Sequence, residues 1–196
     1  MLLNNVIFFL ALSVGFGACI LTLYFFITYV LSGFGKYPPF VCSLGSSRKT
    51  VIQEAEKILQ KMSSPVNVVD LGCGNGSLLI PLAKEFPLHQ FIGYDWDKVP
   101  YWLAKIRTKK IKNIRLFNSN FMKENYSNIQ LVLCYTSPTL KDPLGAKLQS
   151  ELPEGSFVIS ETFELDHLTL LDTIQTSTLR IPTKVFLYQK KNGQTK

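Results

Sequence analysis

Three glycines and two aspartates carry the chemistry legible in this chain. The run Asp70-Leu71-Gly72-Cys73-Gly74-Asn75-Gly76 sets an acid just ahead of a glycine-spaced turn, and Asp95 lies nineteen residues beyond Gly76. Glycine permits positive φ and lets a ligand lie against bare backbone. A helix that starts after such a turn adds unpaired N–H donors and partial positive charge. The spacing departs from the dinucleotide fingerprint G-x-G-x-x-G, because the third glycine is at 76 and Ser stands at 77. An acid at position 70 is badly placed for a pyrophosphate and well placed for an ammonium group. Asp95, at the end of a neighbouring strand, is suited to accept hydrogen bonds from ribose hydroxyls. Asp97 competes for that role two residues on.

Those residues need a sheet edge to hold them. Val66–Leu71 is a short β-branched apolar run, which predicts a buried strand, and Ser77–Glu85 predicts a helix with Ser77 as its cap. Upstream, Val51, Ile52, Ala55, Ile58, Leu59 and Met62 have helical spacing, with Ser46 or Ser47 as cap and Ser63-Ser64-Pro65 as stop. Further strands are expected over 90–95, 114–117, 129–135 and 155–163, the fourth strand apolar on both faces and hence central. Residues 168–179 and 183–189 form a closing antiparallel pair. Between them lie an amphipathic helix over 99–110, whose basic end complements the helix dipole, and a helix-like stretch over 138–152 interrupted by Pro143. This alternation predicts an α/β fold: a Rossmann-like, seven-stranded sheet with helices on both faces.

The N-terminus is of another kind. Residues 1–35 hold no charged side chain, and Val6–Leu31 contains sixteen Val, Ile, Leu or Phe residues. As a helix it measures about 39 Å, longer than the ~30 Å hydrocarbon core of a bilayer. A signal peptide is disfavoured by the missing basic start and the long apolar core. One N-terminal transmembrane helix is therefore expected. Lys36, Arg48 and Lys49 follow it, which places the domain on the cytoplasmic side, or the matrix side in a mitochondrion. The expected division is an anchor over 1–35, a linker and pre-core helix over 36–64, the main domain over 65–190 and a polar tail over 191–196. The 21 basic residues against 14 acidic ones, net +7, suit nucleic acid or an anionic membrane surface. Four scattered cysteines with no C-x-x-C pattern, and two histidines, indicate neither a zinc site nor a disulfide framework.

Several pieces read together narrow the assignment. They are Pro39-Phe40-Val41-Cys42-Ser43, the glycine turn, Gly93-Tyr94-Asp95-Trp96-Asp97, Asn118-Ser119-Asn120-Phe121 and Leu148-Gln149-Ser150-Glu151-Leu152-Pro153-Glu154-Gly155. The set resembles the class I S-adenosylmethionine (SAM) methyltransferases, and within them the small, membrane-anchored protein lysine methyltransferases that modify the ATP synthase c-ring protein and the adenine nucleotide translocase. That resemblance implies SAM as cofactor. It implies that Asp70, Gly72, Cys73, Gly74 and Gly76 hold its methionine moiety and ribose, that Asp95 with Trp96 holds the ribose hydroxyls, and that Asn120 and Phe121 flank the adenine. The Pro39–Ser43 loop is expected over the cofactor. Asn75 and Asn120 stand where the family more often has acids. Tyr135-Thr136-Ser137-Pro138 lacks the Asn/Asp-Pro-Pro-aromatic signature of nucleic-acid amino methyltransferases, so nucleic acid is not the expected partner.

The implied reaction is transfer of a methyl group to a lysine of a membrane-embedded protein, at a bacterial or mitochondrial inner membrane. The lysine must be neutral to react. Tyr135, at the end of the fourth strand, is the candidate catalytic group, and Glu161 a weaker one. A lipid or quinone methyltransferase and a non-catalytic SAM-binding assembly factor are the alternatives.

Overall fold

The computed structural model describes residues 2–31, 45–178 and 181–191. The chain divides into two compact units, Met1–Phe40 and Val41–Lys196.

In the first unit the backbone of α1 is helical over Leu2–Leu31. The membrane span expected there is not shown. Among the described residues no helix is long and apolar enough to cross a membrane. The side chains placed in α1 are those of Phe9 and of residues 11–27, a stretch short of the ~20 residues that a span needs.

The second unit follows the expected order: α2 (Gly45–Leu59), β1 (Asn67–Leu71), α3 (Leu79–Glu85), β2 (Gln90–Tyr94), α4 (Lys98–Thr108), β3 (Ile114–Phe117), β4 (Leu131–Cys134), α5 (Lys141–Glu151), β5 (Phe157–Glu161), β6 (Thr169–Thr178) and β7 (Ile181–Gln189). The sheet has seven strands in the order β3-β2-β1-β4-β5-β7-β6. β1 to β5 are parallel, and β7 enters antiparallel between β5 and β6.

Two cores cover the two faces. Val68, Phe91, Leu131, Leu133 and Ile159 pack under α2 and α3, through Val51, Ala55, Leu59, Leu79 and Leu82. The alternate residues Val69, Leu71, Val132 and Val158 pack under α5, through Leu144 and Leu148. Strict alternation along β1 and β4 is what assigns these side chains to opposite faces. Asp70 lies between Val69 and Leu71 and so falls on the α2–α3 side.

Three local expectations need correction. Helix α2 begins at Gly45, so Ser46 and Ser47 sit inside its first turn instead of capping it. Ser46 Oγ donates to the Ser177 carbonyl at 2.7 Å, and Ser47 Oγ donates to Glu161 Oε1 at 2.5 Å. Ser77 does not cap α3, which has no side-chain cap; Ile80 N–H reaches back to the Gly76 carbonyl at 3.0 Å. Pro143 does not interrupt α5. It lies in the first turn, where an N–H would have no helical partner anyway. The Pro39–Ser43 loop and the tail beyond 191 lie outside the described residues.

Candidate active site

The strand registers line up one row of residues at the carboxyl edge of the sheet. Leu71 pairs with Tyr94 and with Cys134, and Cys134 pairs with Ser160. The residues that follow these, Gly72, Asp95, Tyr135 and Glu161, therefore stand side by side. This edge is where open α/β sheets bind ligands.

The glycine turn is tied to β2 at three points. Gly72 N–H and Cys73 N–H both donate to the Tyr94 carbonyl, at 2.8 and 3.0 Å, and Gly74 N–H donates to Asp95 Oδ2 at 2.7 Å. Gly72, Gly74 and Gly76 have φ of 81°, 55° and 76°, a region that side chains resist. A Cβ on Gly72 would meet nothing within 4 Å, so that backbone is bare on its outer side. Cys73 contributes backbone to the turn, but its thiol is buried in the core against Gly93. Its burial pushes the thiol pKa up, with Asp70 and Asp95 adding to the shift.

Asp70 and Asp95 are both buried. Burial raises the Asp70 pKa to about 8, with the charges of Asp95 and Glu161 adding to it. Among the described residues no donor is placed on the Asp70 carboxylate. Asp95 also rises, to about 6, through burial, while hydrogen bonds from Asp97 and Gly74 N–H oppose the shift. Asp97 is separated from this role: its Oδ1 accepts from Val99 N–H and caps α4. Trp96 is exposed on the far side of Asp95. Asn118 Nδ2 holds the Asp95 and Trp96 carbonyls at 2.9 and 3.0 Å.

Asn120 caps the 3₁₀ turn Phe121–Lys123, its Oδ1 accepting from Met122 N–H at 2.9 Å. Tyr126, fully buried, donates its hydroxyl to the Phe121 carbonyl at 2.5 Å and so fixes that loop. Sequence reading misses Tyr126, because a lone tyrosine before a strand carries no positional signal. It also misses Gly93, where a Cβ would lie 2.7 Å from Cys73 Sγ and from Leu116 Cδ2; only its place in a strand otherwise rich in bulky residues marks it.

On the other flank, the Tyr135 ring stacks on Phe163, centroids 6.2 Å apart and planes 14° apart. Burial raises the Tyr135 pKa, Glu161 adds to it, and a hydrogen bond with Thr162 opposes it. Thr162 has φ of +72° and Phe163 N–H donates to the Glu161 carbonyl at 2.9 Å. This is a γ-turn of the rare, strained hand, unusual for a β-branched residue. It is held by Thr162 N–H on the Lys184 carbonyl and by Ser160 Oγ on the Phe163 carbonyl. An open pocket of about 320 Å³ adjoins it, lined by Pro138, Lys141, Thr162, Phe163, Glu164 and others.

The edge fits a polar ligand with an amino group. A carboxylate without a donor lies beneath bare glycine backbone. Asn75 Oδ1, Ser119 Oγ and Thr136 Oγ1, all in loops at this edge, are buried without a hydrogen-bond partner among the described residues.

Comparison with known proteins agrees with that edge. Residues 70–171, just over half of the chain, match the model of the ANTKMT methyltransferase domain. The chain is 26% identical over 156 residues to a protein-lysine N-methyltransferase of Saccharolobus islandicus, covering 78% of this chain and 96% of that protein. It is 28% identical over 114 residues to a Xenopus laevis lysine N-methyltransferase named for the c-type protein of ATP synthase, covering 56% of this chain but only 50% of that longer protein. The fold is that of the Salinibacter ruber RNA methyltransferase solved with S-adenosyl-L-homocysteine, at TM-score 0.62 and 18% identity over 76% of this chain and 95% of that one.

Proposed function

The chain belongs to the ANTKMT methyltransferase domain family, and from that premise we propose that it methylates a lysine side chain of a membrane-embedded protein. It is a methyltransferase and its cofactor is SAM. What supports the lysine reading is the S. islandicus protein-lysine methyltransferase, whose likeness runs through nearly all of its own length. What supports a membrane-embedded acceptor is the X. laevis relative, named for a component of ATP synthase.

The proposed roles follow from the edge. Asp70 takes the amino group of the cofactor, with its carboxylate stabilised by that charge. The backbone of Gly72, Cys73, Gly74 and Gly76 lies along the methionine moiety. Asp95 already spends one lone pair of each oxygen on Gly74 and Asp97 N–H, and its remaining lone pairs accept from the ribose hydroxyls. Asn120 and Phe121 bound the adenine, and Trp96 borders the ribose. When bound, SAM supplies a methyl group on a positively charged sulfur.

A lysine nitrogen must lose its proton before its lone pair can form the new bond. Tyr135 stands next to Gly72 in the row, and its raised pKa keeps the phenol protonated near neutral pH. It is therefore an orienting group whose oxygen accepts from the amine, not a base. Its stacked partner Phe163 gives the lysine methylenes an apolar wall.

The anchor belongs to the same proposal. Phe9, Leu12, Val14, Phe16, Ile20 and Leu21 of α1 are all more than half exposed, and the first charge in the chain is Lys36. We assign α1 as a single span holding the catalytic domain on the cytoplasmic or matrix side. The test is mass spectrometry of membrane proteins from cells with and without the gene. A lysine that gains methyl groups only with the gene supports the proposal. Transfer of label from SAM into solvent-extractable lipid, or SAM binding with no transfer at all, rejects it.

A further inference from the structure

The outer face of α4 breaks the usual pattern of a surface helix. Val99, Trp102, Leu103 and Ile106 follow the i, i+3, i+4, i+7 spacing of a stripe made for burial, yet they are 50%, 58%, 51% and 68% exposed. The buried side of the helix is small: Pro100, Ala104 and Thr108. The large apolar side chains of α4 thus point away from the sheet. Around them, residues 98–112 hold Lys98, Lys105, Arg107, Lys109, Lys110 and Lys112, and no acid. The Lys105 ammonium lies over the rings of Tyr101 and Trp102, 5.8 and 5.4 Å from their centroids.

We propose that α4 is an interfacial membrane-binding face, which beds Val99, Trp102, Leu103 and Ile106 among the headgroups of an anionic lipid surface. Charge and apolarity select this partner together. Nucleic acid pairs with the lysines but gives no use to three exposed aliphatic side chains. A second copy of the chain covers the stripe but sets its basic residues against identical ones. An anionic bilayer accepts apolar side chains at the acyl boundary and attracts each nearby lysine. The contact also reaches the site: Arg107 Nη1 holds the Asn75 carbonyl at 2.8 Å, so a lipid-bound α4 brings the glycine turn to the bilayer surface. This inference depends neither on the acceptor being lysine nor on α1 spanning the membrane.

The two tryptophans of the chain both lie at this helix or just before it, which supplies a local probe. Full-length Trp96→Phe protein leaves Trp102 as the reporter. It is reconstituted in phosphatidylcholine vesicles with about one third phosphatidylglycerol, part of the lipid carrying brominated acyl chains. Trp102 emission is expected to shift to shorter wavelength and to be quenched by the brominated chains. Both effects are expected to fall away in pure phosphatidylcholine and in Leu103→Glu/Ile106→Glu protein, whose melting temperature stays unchanged because both positions are exposed. Retention of the chain by α1 does not move this readout. Equal quenching of Trp102 by aqueous acrylamide in vesicles and in detergent overturns the proposal. So does a shifted emission that bromolipid leaves unquenched and that tracks protein concentration, which assigns the stripe to a second copy. A shift that appears only on adding RNA overturns it in favour of nucleic acid.

Discussion

Asp70 is a carboxyl group without a donor, in a place water hardly reaches. In the chain alone its pKa of about 8 means that near neutral pH it is mostly protonated, because burial and the neighbouring Asp95 and Glu161 all oppose its charge. Two consequences have definite signs. Between the unfolded value of 3.8 and about 8, the folded chain holds a proton that the unfolded chain has lost, so stability falls as pH rises through that window. Asp70→Asn cannot carry the charge, so its melting temperature is expected to exceed that of the parent above pH ~8. The cofactor's amino group needs the ionised acid, so affinity for S-adenosylhomocysteine rises with pH, by up to about tenfold per unit, until Asp70 is ionised. Calorimetric titration across that range checks this, and Asp70→Asn should both flatten the profile and weaken binding by about 2–5 kcal/mol. A flat parent profile sinks the assignment of Asp70 to the amino group. Tyr135 is tested by a different split. Tyr135→Phe keeps the stacked ring, so binding should hold within about twofold while kcat drops by about 10–100-fold. A loss confined to KM would make the tyrosine a packing residue.

At the level of elements, two glycines separate support of the site from support of the fold. A Cβ on Gly93 would lie 2.7–2.8 Å from Cys73 Sγ, Leu116 Cδ2 and Leu79 Cδ1, the side chains that seat the glycine turn and α3 on the sheet. A Cβ on Gly145 would lie 2.1 Å from the Asp166 carbonyl oxygen, on the α5 side. Each alanine substitution is expected to cost about 1–3 kcal/mol by denaturant melts. Only Gly93→Ala should also weaken S-adenosylhomocysteine binding, because only it pushes on the turn. Neither glycine can be singled out from the sequence. Both are demanded by the approach of a distant segment, and one-dimensional spacing carries no record of that approach. What can be read is the periodic part: β-branched runs and alternation place all seven strands, and the acid–glycine spacing locates the turn. Asp95 over Asp97 is also legible, since an acid at a strand end and an acid at a helix start do different work. The failures are local hydrogen-bond choices. Residue type alone points to Ser46 and Ser47 as caps, but strands over a hundred residues later offer them partners. Ser77 loses its capping role because the turn itself feeds the first bonds of α3.

For the molecule as a whole, the question is why a domain with a complete sheet carries an apolar helix of thirty residues. SAM binding does not call for it, since every residue assigned to the cofactor lies between 70 and 121. Delivery to an acceptor does. If the acceptor lysine sits at the end of a membrane-embedded helix, a tethered enzyme searches a thin layer instead of the full cell volume, and its effective concentration rises by orders of magnitude without any new contact. Binding and turnover then respond differently to loss of the tether. Chain lacking residues 2–35 should bind S-adenosylhomocysteine as tightly as the parent and should methylate a soluble peptide carrying the acceptor lysine at the parent rate. Its rate on the same lysine in proteoliposomes should fall by about 10²-fold, a loss that α4 alone can only partly offset because interfacial helices hold far more weakly than a span. Equal rates of the two chains on the embedded acceptor would leave α1 with no part in delivery, and the membrane assignment of the N-terminus would have to be given up while the methyltransferase site stood.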